Sequence, residues 1–348
     1  MSSSSASSSA TGTGTARYAE RFPGHHPHFY RIEQGLTLSS LGIGSYLGNI
    51  DDATDAGYVE AVNAAVRGGI NVIDTSLNYR HQSSERNIGE ALASSPREEV
   101  VVCTKAGFLV PGAVPANRLN PSDIVGNIHS MAPAFLLDQL NRSLANLRLS
   151  TLDVFYLHNP ETQLQFISQD EFERRIRAAF ETLEQQVSQG TIRFYGTATW
   201  NGYRTKEPGA GLSLVRLERI AREVGGKSHH FRFIQLPLNL AMVEGAASPR
   251  EDLGGPVVPT VTAAQVLGIT AIASATLLQT KLLFGLPREV ADRLPGAQTN
   301  AQRAIQFTRS IPGIAVALVG MANPEHVEEN LGVASLPRAD LSTWFGQA

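Results

Sequence analysis

The chain has 348 residues, enough for one large α/β barrel or two ordinary domains, and its 42% apolar content allows a sizeable core. Its net charge of -3 is spread without a basic run, which sets nucleic acid aside as a main partner, and no apolar run reaches the roughly 18 residues of a membrane span. The single cysteine, Cys103, excludes an internal disulfide and a cysteine-based zinc site, and suits a reducing, cytoplasmic compartment.

Taken in chain order, residues 1–20 open with "MSSSSASSSATGTGTA". This stretch buries too little apolar surface to offset ordering, so it reads as a disordered Ser/Thr/Ala-rich tail. It has no basic start and no apolar core, so it does not read as a secretory signal. A single domain is expected over 28–340. It begins with "HFYRIEQGLTLSSLG", a hairpin with Gly35 in its turn.

Strands and helices then alternate. "LSSLGIGSY" precedes the amphipathic "AGYVEAVNAAVRGG", and "INVIDTS" precedes "SSERNIGEALAS". "EVVVCTKAG" leads through a long loop to "PAFLLDQLNRSLANLRL". "LDVFYLHNP", "TIRFYGTAT", "FRFIQLPLNL", "ITAIASA" and "GIAVALVGM" follow, each with a helical partner nearby. Eight strand candidates in a βα rhythm over about 300 residues fit a parallel (β/α)8 barrel better than a doubly wound sheet. "GIGSYLG" is only a partial imitation of a dinucleotide-binding glycine motif.

Side chains alternate along a strand, so parity shows which residues share a face. Val72 and Asp74 share one, as do Val101, Cys103 and Lys105, and again Val154, Tyr156 and His158. Each set starts with valine and ends in an ionisable group at the strand's C-terminal end, where the mouth of a parallel barrel lies. Tyr79 falls in the loop just after Asp74. A tyrosine is a weak acid, with an ordinary pKa near 10; a neighbouring ammonium is expected to lower it, and a carboxylate to hold that ammonium in place. A histidine beside the phenol orients an oxygen or joins a proton relay. Each residue alone is more often structural, but four at one rim point to acid–base chemistry. The pairs His25–His26 and His229–His230 lack a supporting carboxylate or cysteine pattern and read as surface residues, not metal ligands.

These segments resemble the aldo-keto reductase superfamily over residues 29–335, with some likeness to its NAD-dependent sugar (L-galactose or aldose) dehydrogenases. "GINVIDTSLNYRHQSSERNIGEAL", "VVCTKAG", "STLDVFYLHNPE", "QGTIRFYGTAT", "FIQLPLNL" and "VALVGMANPEHVEENL" carry the likeness, in order. The resemblance implies an oxidoreductase using NAD(P)(H), without a metal, on a small carbonyl or sugar substrate, with the cofactor extended across the mouth. Tyr79 would be the general acid or base, Asp74 and Lys105 would tune it, and His158 would position the carbonyl.

On the same footing, Thr199 and Gln235 would hold the nicotinamide amide, and Ser274 stands where many members stack an aromatic ring. Gly320 and His326 occupy positions at which NADP-specific members carry Lys and Arg, which leans slightly to NAD. Glu329 and Asn330 would contact adenine. Arg80 replaces the usual Gly after Tyr79. It suggests a hydroxylated or anionic substrate, or else a loop pairing with Glu85. Phe108 and Leu109 open the long third loop, and Tyr46, Asn159 and Trp200 follow other strand ends; all are candidates for the substrate wall. The competing reading is a cofactor-binding regulatory barrel with little turnover.

Overall fold

The computed structural model describes residues 8–115, 119–205, 207 and 209–344. Of the expected disordered tail, residues 1–7 lie outside the described residues. Residues 12–20 correct the expectation: they form helix α1 (Gly12–Glu20), capped by Thr11, whose side chain accepts from Gly14 N at 2.9 Å. Long-range contacts supply what local composition lacks. Tyr18 is fully buried and donates its hydroxyl to Val66 O at 2.6 Å and Ile70 O at 3.0 Å. Just ahead of the helix, Ala10 N donates to the buried Asp153 Oδ1 at 2.9 Å.

Strands β1 (Tyr30–Glu33) and β2 (Leu36–Ser39) form the expected antiparallel hairpin. Gly35 sits in its turn at φ 73°, a left-handed conformation that glycine adopts without strain. The barrel strands are β3 (Leu41–Gly44), β4 (Val72–Asp74), β5 (Val101–Ala106), β6 (Leu152–His158), β7 (Ile192–Ala198) and β8 (Phe231–Pro237). A short ribbon of β9 (Pro249–Glu251) and β10 (Val258–Pro259) follows, before β11 (Thr270–Ser274) and β12 (Ile314–Gly320). The eight barrel strands close in the order β11-β12-β3-β4-β5-β6-β7-β8, all pairs parallel.

Helices α2 (Asp52–Arg67), α3 (Ser83–Ala91), α4 (Pro133–Leu147), α5 (Gln169–Ser188), α6 (Leu214–Gly225), α7 (Glu244–Ala247) and α8 (Thr260–Val266) follow in chain order. Helices α9 (Arg288–Arg293), α10 (Asn300–Ser310) and α11 (Pro324–Leu331) complete the set. Among the described residues, no helix is long and apolar enough to cross a membrane.

The barrel interior follows the parity of the strands. Val72, Val101, Cys103, Val154, Tyr156, Phe233, Ile272 and Val316 form one buried cluster, which Leu36 and Leu38 of the hairpin and Ala10 also join. Large and small residues alternate across it. A Cβ on Gly196 would lie 1.9 Å from Phe233 O, so only glycine lets β7 lie this close to the β8 backbone, and the Tyr156 ring packs tightly against the same spot. The hairpin and the α1 segment thus meet the interior at one end, and the polar ends of β4 to β6 are left for the other.

Asp153 ties the N-terminal segment to the barrel. Besides Ala10 N it accepts from Val102 N at 2.8 Å and from Arg97 Nη2 at 2.7 Å. Replacing it leaves buried donors without an acceptor. Asp153→Ala is expected to lower the unfolding free energy in urea by roughly 3 kcal/mol. A loss below about 1 kcal/mol would mean that the segment is not anchored through this carboxylate.

Candidate active site

β4 ends at Asp74, and its neighbour β5 carries Lys105. Lys105 Nζ lies 2.6 Å from Asp74 Oδ2 and donates to Thr75 O at 2.7 Å and to Tyr79 Oη at 3.4 Å. Those three acceptors match the three protons of an ammonium. The second Asp74 oxygen accepts from Gln235 Nε2 on β8 at 2.8 Å. The ammonium also sits 4.8 Å from the centroid of the Tyr79 ring. The parity argument therefore holds in space: β4, β5 and β6 bring Asp74, Lys105 and His158 to one mouth, with Tyr79 beside them.

Burial is the largest influence on each of these groups. It draws Lys105 down, but the Asp74 charge and the hydrogen bonds to Asp74 and Tyr79 outweigh it, so the ammonium is held above its ordinary value. It pushes the Asp74 carboxyl up, against the pull of Lys105 and Gln235. The short contact and the filled donor set place the shared proton on Lys105, so the pair is ionic. Tyr79 corrects an expectation. Lys105 does pull its phenol down, but burial and Asp74 push harder, and the net direction is up. At neutral pH Tyr79 is a phenol, and because Lys105 donates into its oxygen, its own proton is free for the cavity.

His158 ends β6. Its Nδ1 lies 3.0 Å from Ser76 Oγ, and its ring stands edge-on to Tyr79, with centroids 5.8 Å apart. Burial, with Lys105 and His129 adding to it, holds His158 well below the usual imidazole range, so it is neutral. The long third loop docks here. Gln163 Nε2 lies 3.0 Å from His129 Nδ1, and His129 Nε2 donates to His158 O at 2.7 Å. Phe108 stands edge-on to both imidazoles.

Asp74, Tyr79, Phe108 and His158 line a cavity of about 410 Å³. The loops after β3, β5, β6 and β7 contribute Tyr46, Phe108, Asn159 and Trp200; Thr199 and Gln235 also line it. Leu109 does not, and packs on the outer core instead. Ser274 and Gly320 line the β11 and β12 side, with Thr276, Leu277, Gln279 and Thr280 between them. This last run escaped the sequence reading. Ala275, Leu278, Gln279 and Thr280 are all left-handed, with no glycine to announce it. The amides of Thr276, Leu277, Gln279 and Thr280 donate to no other described residue, and Thr276 Oγ1 is buried without a partner. Successive free amides in such a turn make an anion-binding concavity. A long, phosphate-bearing cofactor fits that donor set.

Some expected residues lie elsewhere. Arg80 does not line this cavity. It, His81 and Gln82 are left-handed, and the Arg80 side chain turns away from the mouth. It donates to Asn49 O at 2.8 Å and pairs with Asp55 on α2 at 2.5 Å, over the Tyr58 ring. Nor does it pair with Glu85, which is buried and accepts from Thr104 Oγ1 and Asn146 Nδ2. His326, Glu329 and Asn330 lie on α11, outside this cavity; His326 and Glu329 face solvent, and Asn330 is buried with an unpartnered Oδ1. Of the histidine pairs, His229 is buried near Glu218, against the surface reading. Among the described residues no group of three or more His, Cys, Asp or Glu is placed to hold a metal.

Ser45, Ser76, Asn78 and Glu161 also escaped the sequence reading. Ser76 and Asn78 sit inside the Asp74–Tyr79 motif and share its face, which was the available signal. Glu161 Oε1 accepts from three successive amides, Trp200 N at 2.8 Å, Asn201 N at 3.0 Å and Gly202 N at 3.1 Å. It fixes the loop that presents Trp200.

The model of the aldo/keto reductase family matches residues 40–207. The chain is 26% identical over 340 residues to a D-threo-aldose 1-dehydrogenase of Pseudomonas sp, covering 87% of this chain and 91% of that one. It is 26% identical over 328 residues to the NADH-specific methylglyoxal reductase of Escherichia coli, covering 88% and 92%. Its fold is similar to that of an aldo/keto reductase from Klebsiella pneumoniae solved with NADP and acetate, at a TM-score of 0.64 and 20% identity over 90% of this chain and 91% of that one.

Removing the Glu161 acceptor should loosen the Trp200 loop. In a Trp344→Phe background, Glu161→Ala is expected to shift Trp200 emission to the red and to raise its quenching by acrylamide about twofold or more. Unchanged emission would show that the loop holds its shape without this carboxylate.

Proposed function

We propose that the chain, an NAD(P)-dependent oxidoreductase of the aldo-keto reductase superfamily, interconverts a carbonyl and an alcohol with Tyr79 as the general acid–base. One observation carries this reading. Lys105 Nζ is saturated by Asp74, Thr75 O and the Tyr79 oxygen, directly beneath the cavity. An ammonium fixed in this way stabilises negative charge on the phenol oxygen as its proton leaves. Tyr79 faces the reacting oxygen with His158 beside it, while Phe108 and Trp200 cover the apolar part of a small aldehyde, ketone or sugar and limit water.

Bound nicotinamide supplies or accepts the hydride. Ser274, Thr276 and the amides of Leu277, Gln279 and Thr280 would hold the cofactor, and Gln235 and Thr199 would meet its carboxamide. Gln235 already commits its Nε2 to Asp74, so its Oε1 is the atom left for that contact. Adenine would lie toward Glu329 and Asn330. The sequence of α11, PEHVEENL, carries three glutamates and no Lys or Arg, which disfavours a 2'-phosphate there and favours NAD. The free thiol Cys103 is buried and suits a reducing, cytoplasmic setting. A regulatory, non-catalytic barrel has no comparable need for a saturated ammonium under a phenol.

Three outcomes test this. Tyr79→Phe should bind NADH within about twofold of the wild type by fluorescence titration, and lose roughly 10²–10⁴-fold in turnover. Loss of binding together with turnover would indicate a structural role instead. The same titration should find NADH bound about tenfold more tightly than NADPH; the reverse order would refute the cofactor preference. Reduction needs the phenol, which persists below its raised pKa and is lost above it. Carbonyl reduction should therefore be level from about pH 7 to 9 and decline only above about pH 10. A decline centred near pH 8 would assign the proton to another group.

A further inference from the structure

His158 is neutral and carries one ring proton, and its surroundings say which nitrogen holds it. Ser76 Oγ lies 3.0 Å from His158 Nδ1, 2.6 Å from Asn78 Oδ1 and 3.1 Å from Lys105 O. The serine has a single proton. A separation of 2.6 Å to Asn78 suits an O–H···O bond and is too short for an ordinary N–H···O bond, so the amide oxygen faces Ser76 and accepts from it. Lys105 O is also only an acceptor. With its proton committed to a carbonyl oxygen, Ser76 can only accept from the imidazole, and Nδ1 must bear the hydrogen. His158 Nε2 makes no hydrogen bond within the protein, is not among the buried unpartnered atoms, and belongs to a ring that lines the cavity. It meets an incoming molecule as a bare lone pair.

We propose that Ser76 fixes His158 as a hydrogen-bond acceptor toward the cavity, which makes the site selective for a carbonyl with a hydroxyl on the neighbouring carbon. The carbonyl half of this statement rests on the oxidoreductase reading above. Tyr79 presents a donor and His158 an acceptor on adjacent walls, with ring centroids 5.8 Å apart. An α-hydroxy carbonyl offers the complementary pair: its carbonyl oxygen accepts from Tyr79 and its hydroxyl donates to His158. A simple aldehyde leaves the lone pair without a donor. In reduction a C–H bond forms at the carbonyl carbon with hydride from reduced nicotinamide, and an O–H bond forms at its oxygen with the Tyr79 proton. The neighbouring hydroxyl and His158 exchange nothing and only orient the substrate. Ser76 is thus a positioning residue that acts through His158.

The full-length protein labelled with ¹⁵N-histidine tests the first half without turnover. In long-range ¹H–¹⁵N spectra near neutral pH, with His158 identified by its loss in His158→Gln, Nδ1 should resonate as a protonated nitrogen and Nε2 as an unprotonated one. A protonated Nε2 in the wild type overturns the proposal. Ser76→Ala, checked for folding by circular dichroism, should move proton density to Nε2; an unchanged pattern removes Ser76 from the role.

The second half is read from kcat/KM with NADH for 2-hydroxypropanal against propanal. The wild type should favour the hydroxylated aldehyde by about tenfold or more, and Ser76→Ala should reduce that ratio to about threefold or less. Equal use of both aldehydes by the wild type overturns the selectivity. Failure of the oxidoreductase reading would look different: neither aldehyde would turn over, while the nitrogen signals would still decide the His158 state.

Discussion

The Asp74–Lys105 ion pair organises the mouth of this barrel, and its burial explains why. The Asp74 and Lys105 side chains are 6% and 0% exposed. Removing two charges from water costs several kcal/mol per ion, so such a pair survives only where every remaining lone pair and proton is satisfied. Here Gln235 reaches in from β8, Thr75 O closes from the backbone, and the third ammonium proton is left for the Tyr79 oxygen. The pair therefore does two things at once. It joins three strands by contacts that cannot be partly made, and it leaves one donor aimed at the Tyr79 phenol in the cavity. The same burial lifts Tyr79 as well, so the phenol keeps its proton until a reacting oxygen takes it.

From that centre outward, the two sides of the cavity divide their chemistry. The loops after β5, β6 and β7 present rings: Phe108 wedged against two imidazoles, and Trp200 on a turn pinned by Glu161. Their neighbour His129 is bonded through both ring nitrogens, to His158 O and to Gln163, so this wall is set before any ligand arrives. The loops after β11 and β12 present instead small side chains, free amides and an open Gly320, around which a Cβ would meet nothing within 4 Å. Lined by rings on one side and by free amides on the other, the cavity is asymmetric in the way that a small substrate and a long phosphorylated cofactor require.

Most of the fold and the inner site was legible in the sequence because both follow period two. Once strands are recognised, parity alone aligns Val72 with Asp74, Val101 with Lys105 and Val154 with His158, and a parallel barrel carries all three to one end. Legibility stops where the backbone leaves the strand. Arg80, His81 and Gln82 are left-handed without glycine, and that turn sends Arg80 to Asp55 instead of the cavity. The run 275–280 hides its free amides for the same reason. Residues 12–20 look like a tail by composition, yet they fold because Tyr18 finds Val66 and Ile70 far along the chain. The upward shift of Tyr79 is hidden for a related reason: a neighbouring charge is visible in a motif, but the depth of burial is not.

The tautomer of His158 shows how far such local detail reaches. A single serine between Asp74 and Tyr79 has two carbonyl oxygens within reach and one proton to give. That shortage, rather than any charge, decides which face of the imidazole meets the substrate. An acceptor beside a donor is a two-point pattern, and a two-point pattern discriminates between molecules that a lone phenol would treat alike, because an unmatched lone pair in a half-dry cavity is left without water or partner. The acid–base machinery defines which bond can change, and the hydrogen-bond polarity of the residue next to it defines which molecules present that bond in a reactive pose.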